Sequence, residues 1–83
     1  MYNAFDSHEE LVLKAARMLA VCRRARPDDA LAEHVKTAAL AVAIFKDMRS
    51  QEAMKFIEDN WEEIEKMVFT IDVLRDLDDL ENA

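Results

Sequence analysis

Glycine is absent from this sequence, and proline and cysteine occur once each. Without glycine there is no Walker loop, no dinucleotide fingerprint and no glycine-rich phosphate cradle, because each needs backbone to approach a ligand where a Cβ would block it. The residue that most readily takes the left-handed conformation at a turn or helix C-cap is missing too. Such a chain favours helices joined by very short connections. With Cys22 alone, no intrachain disulfide forms. Its neighbours Met18, Leu19 and Val21 suit a small buried hydrophobe better than a reactive thiol or metal ligand.

Long hydrophobic runs are lacking as well. The longest uncharged stretch, 37–45, falls far short of the roughly 20 apolar residues that cross a bilayer. Asp6, Glu9 and Glu10 stand where a signal peptide would be basic and then apolar. A cytoplasmic protein without membrane association is the expectation.

What the chain has is apolar residues and helix formers. Its 83 residues make a single helical domain, 1–83, and a hydrophobic fraction of 52% is too high for a disordered tail. A chain this short hides only about 60–65% of the surface its unfolded form exposes. Stability then depends on a dense core or on a partner subunit. The net charge of −7 is unevenly spread. Lys14, Arg17, Arg23, Arg24 and Arg26 occupy 14–26 with no acid among them, whereas 50–83 carry eleven acids against three bases.

Helix 1 opens on a capping box, Ser7 with Glu10, and runs to about Arg24 or Arg26, before Pro27. Lys14, Arg17 and Arg24 fall on one narrow stripe, and apolar residues cover roughly 220° of the rest, twice what a surface helix needs. Helix 1 is therefore expected to be central or sandwiched between two neighbours. Pro27, Asp28 and Asp29 suit the first turn of helix 2, which is expected to reach about Arg49. Leu31, Val35, Ala38, Val42 and Phe45 form its packed face, while Leu40 and Ile44 project on the opposite side. Five alanines between 32 and 43 would let another helix approach closely.

Ser50 is the expected N-cap of helix 3. Ile57, Trp61, Ile64, Val68 and Ile71 keep one phase through Asp59 and Asn60, so this helix is read as continuous, although Asn60 and Glu63 resemble a cap. Beyond Thr70 the phase changes to Val73, Leu74, Leu77 and Leu80, which predicts a kink or a short fourth helix capped by Thr70 or Asp72. The β-branched and aromatic run 67–74 leaves a strand as the alternative there. The fold expected is all-α: an antiparallel bundle of three main helices plus a short C-terminal fourth, assembled as a homodimer.

Residues that carry chemistry do not converge. His8 and His34 lack a Glu-x-x-His or His-x-x-x-His partner and read as partly exposed histidines on helix edges, so no metal site is expected. Ser7 and Ser50 read as caps. Glu58, Glu62 and Glu65 with Lys55 and Lys66 read as a solvated face, with Glu62 and Lys66 an i, i+4 pair. The expectation is a protein without enzymatic activity or cofactor.

The reading that remains is an acidic interaction module, a regulator or inhibitor that binds another protein through apolar helix faces. Leu40, Ile44, Met48, Met54, Leu13 and Leu19 are its expected partner or dimer surface. Met48 and Met54 flank one turn, where flexible thioethers suit an adaptable site if exposed. The alternative is a nucleic-acid-linked protein. One version grips phosphates with the basic patch Arg23, Arg24 and Arg26; the other mimics a DNA backbone with the acidic patch Asp72, Asp76, Asp78 and Asp79. Against direct binding stand the overall acidity, the structural fitness of cations at a helix C-terminus, and the lack of interleaved aromatic residues. A simpler third option has the acidic tail meet the Arg23–Arg26 cluster of its own or a sister chain.

Overall fold

Four α-helices carry the chain in the computed structural model, which describes residues 7–81, the side chain of Ser7 excepted: α1 (Ser7–Ala25), α2 (Leu31–Lys46), α3 (Ser50–Asp59) and α4 (Trp61–Glu81). No strand occurs among the described residues, and the 67–74 run lies inside α4. Asp6 and the Ser7 hydroxyl of the expected capping box lie outside the described residues. The Glu10 carboxylate accepts from Lys46 Nζ at 2.8 Å, which ties the start of α1 to the end of α2.

The boundaries of α2 and α3 shift inward from the sequence expectation for local reasons. Pro27, Asp28 and Asp29 belong to the turn and not to α2, because the Asp29 N–H closes back on the Arg26 carbonyl at 3.1 Å. Ala30 then serves as an N-cap with extended backbone and no side-chain hydrogen bond. At the other end Asp47 adopts φ 52°, ψ 50°, the left-handed conformation, and stops α2 at Lys46 rather than near Arg49. The Met48 N–H donates to the Ala43 carbonyl at 2.9 Å and that of Asp47 to Ile44 at 3.4 Å, which is the Schellman closure normally built around glycine. Arg49, not Ser50, is the N-cap of α3; its backbone N–H donates to Glu52 Oε1 at 3.1 Å. A guanidinium has no acceptor, so only the glutamate half of a capping box forms there.

Two expectations about the second half of the chain are reversed. The helix breaks at Asn60 (φ −117°, ψ 24°), where the periodicity runs on unchanged, and it does not break at Thr70, where the periodicity shifts. The third helix is therefore short and the fourth is the longest. At the joint, the Asn60 backbone N–H and its side-chain Nδ2 both donate to the Phe56 carbonyl, at 3.0 and 2.9 Å. The Asn60 amide thus closes the end of α3, while Glu63 turns to His8 Nε2 at 2.9 Å instead of completing a cap.

The helices pack as a plate of 41 × 38 × 21 Å, about two helix diameters thick. α1 lies between α2 and α4, as its wide apolar surface predicts, and α3 packs on α2. Contacts run from His8 with Glu63 at one end of the α1–α4 pair to Arg24 with Asp72 and Asp76 at the other. Among the described residues, seven of the thirteen buried apolar ones are alanines: Ala15, Ala16, Ala20, Ala38, Ala39, Ala43 and Ala53. Small side chains permit close approach of helix axes, which usually lie about 8–10 Å apart. Leu19, Ile57, Ile64, Val12, Val42 and Val68 complete the core. His34 joins it, 5% exposed, donating from Nε2 to the Arg26 carbonyl at 3.0 Å. That corrects the expectation of an edge histidine: the ring shares the Arg26 carbonyl, just past the end of α1, with the Asp29 N–H.

Candidate interaction surface

Where the core takes alanines, the surface takes leucines. Of the chain's eight leucines only Leu19 is buried, whereas Leu31, Leu40, Leu74, Leu77 and Leu80 are exposed. The densest apolar surface is on α4. At about 100° per residue, Phe69, Val73, Leu77 and Leu80 share an arc of roughly 80°, and Leu74 flanks it. Ile64, Val68 and Ile71, which pack on the core, lie on the other side of the same helix. Because α4 continues unbroken, the phase change beyond Thr70 turns the apolar stripe away from the core and into solvent. Phe69 is 70% exposed and Leu80 72%, so the stripe has no cover in this structure. Glu62 and Asp76 border it. Lys66 falls on the same arc one turn before Phe69, whereas Asp72, Asp78 and Asp79 lie farther round the helix.

The back of α2 carries a second patch. Leu40 and Ile44 are both exposed, Ile44 at 82%. Leu40 and Met54 meet on one open groove between α2 and α3, about 790 Å³, which also takes in Lys36, Lys55 and Glu58. Its continuation, about 690 Å³, has a floor of Val35, Met54, Ile57 and Trp61. The other residues expected in the interface divide. Leu19 is 2% exposed and packs in the core, which removes it from any surface; its position on α1 faces the neighbouring helices rather than solvent. Met48 and Met54 are half-buried against the core and form no exposed pair, and Leu13 is half-buried on α1. The sequence singled out Leu40 and Ile44 by phase, but missed Phe69 and treated the 73–80 residues as the face of a separate helix.

The basic patch does not stay together. Arg24 Nη2 lies 3.8 Å from Asp72 and 3.7 Å from Asp76 of the same chain, as the third option for the acidic tail has it. Arg26 Nε pairs with Asp29 at 3.3 Å. Arg23 borders a crevice with Leu31, Trp61 and Glu65. Three arginines adjacent in sequence are thus spread over three neighbourhoods. The Lys14 and Lys46 ammonium groups lie 5.1 and 5.3 Å from the centre of the Phe45 ring, so this half-exposed aromatic draws two cations.

Among the described residues no three His, Cys, Asp or Glu side chains gather as metal ligands would. Cys22 is half-buried with a free thiol. His8 is exposed, its ring edge-on to Phe56 at 5.4 Å between centroids. No buried side-chain nitrogen or oxygen among the described residues lacks a hydrogen-bond partner. No described helix is long and apolar enough to cross a membrane. No protein-family model, no curated protein and no solved structure matches the chain.

Proposed function

We propose that this chain is an acidic interaction module, a regulator or inhibitor that docks the outward stripe of α4 into an apolar groove with a basic rim on another protein. One observation carries the proposal: Phe69, Val73, Leu77 and Leu80 form a solvent-facing stripe on a helix whose opposite side is packed into the fold. Spacings of four, four and three are those with which amphipathic helices anchor in grooves. Each large apolar side chain so buried is worth about 1.5–3 kcal/mol. The acids beside the stripe supply orientation and association rate more than affinity.

Self-association is the second part of the proposal, as is a cytoplasmic setting. Leu40 and Ile44 remain its candidate surface on α2. Two side chains fall well short of the roughly 1,000 Å² that a stable interface needs, so this patch contributes to a dimer and does not make one alone. The nucleic-acid alternative draws less support, since Arg24 and Arg26 already face acids of their own chain.

The test is a pull-down with wild-type and Leu77→Glu baits, both checked for unchanged helicity by circular dichroism. A protein retained by the wild type and lost by the variant is the expected result. Equal retention by both baits would sink the α4 reading. A mobility shift of nucleic acid at low salt that fades steeply as salt rises would favour the alternative.

A further inference from the structure

The two halves of one apolar seam serve two different helices here. Met54, Ile57, Trp61, Ile64, Val68 and Ile71 alternate at spacings of three and four without interruption, as they would along a single helix. In the structure the Met54–Ile57 half, on α3, packs against α2, while the Ile64–Ile71 half, on α4, packs against α1. α3 and α4 themselves meet only around their joint. That joint is a single residue, Asn60, whose backbone lies about 55° in φ and 65° in ψ from the helical mean. The bonds bracketing it are Asn60 N–H to the Phe56 carbonyl and Ile64 N–H to the Asn60 carbonyl, both 3.0 Å.

We propose that α3 and α4 also exist as one continuous helix, and that two copies of this chain then exchange α4. In the exchanged dimer α3 stays on its own α2, and α4 lies on α1 of the second copy. Every contact α4 now makes with α1 is kept between chains, including Arg24 with Asp72 and Asp76 and the buried Ile64 and Val68. Straightening Asn60 yields one helix about 48 Å long. Exchange of an element that docks mainly on one neighbour through a short hinge is a low-cost route to a dimer. His8 does not oppose it: its contact with Phe56 stays within the chain, and its contact with Glu63 is remade with the second copy. The proposal is independent of the α4 docking stripe, which faces away from α1 and stays exposed in either form.

Light scattering after size exclusion, with small-angle scattering of the separated peaks, tests it. Wild-type protein at micromolar concentration is expected to give a monomer and an elongated dimer. Asn60→Ala favours helix at both joints of a dimer, so the dimerisation constant is expected to rise about tenfold, and Asn60→Gly to lower it. His8→Ala is expected to leave the dimer fraction unchanged, because both of its contacts survive the exchange. A dimer whose fraction ignores Asn60→Gly overturns the exchange, whatever Asn60→Ala does to folding. So does a monomer in all four proteins. Leu77→Glu is expected to leave the dimer unchanged, which separates this result from loss of the docking partner.

Discussion

Asp47 holds a left-handed backbone that most sequences would assign to glycine, and it does so because this chain has none. An aspartate tolerates that region better than a branched residue but still strains there. Asp47→Gly is expected to raise stability by about 0.5–1 kcal/mol after the added freedom of the unfolded chain is counted. The melting temperature should then rise by roughly 2–8 °C, and an unchanged or lower value speaks against strain at this site. Arg49 offers a second residue to improve. Arg49→Ser supplies the acceptor that the guanidinium lacks, completes the box with Glu52, and should add about 1 kcal/mol, read from denaturant midpoints. His34 shows what residue identity leaves open. Its environment is set by the Arg26 carbonyl across a turn, a partner that helical spacing within α2 does not reveal.

The existence of helices was legible throughout, and the ends were displaced by one to four residues wherever a turn bond or a left-handed residue intervened. The joint of α3 and α4 was misread for a sharper reason. Hydrophobic phase records which side of a helix is apolar, not which neighbour that side meets. Across Asn60 the phase continues while the neighbour changes from α2 to α1; beyond Thr70 the neighbour gives out and the phase moves to solvent. Substitutions on α4 separate its two sides. Ile64→Ala should cost about 2–5 kcal/mol, because Ile64 is fully enclosed. Leu77→Ala, on the outer stripe, should stay within about 0.5 kcal/mol. Equal costs in a urea melt would mean that the outer stripe is covered in the free protein.

At the scale of the molecule, the central place of α1 was readable from its apolar circumference, and the docking of α4 beside it was not. Two thin layers leave every helix with an outward side, and the weak ion pairs of Arg24 hold the far end of α4 only loosely; exposed pairs of this kind contribute between nothing and about 1 kcal/mol. Raising the salt should therefore barely change the melting temperature, which a scan from low to high sodium chloride checks. A loss of more than a few degrees would show a larger electrostatic share.

An alanine interior under a leucine exterior also fixes a calorimetric signature. Heat capacity on unfolding follows the apolar area that folding removed from water, and alanine side chains remove little. The increment should lie below the usual 12–15 cal/mol/K per residue, about 12 at most, and the stability curve against temperature should be correspondingly flat. Any association that covers the leucines left outside should return that missing heat capacity as a negative change on binding.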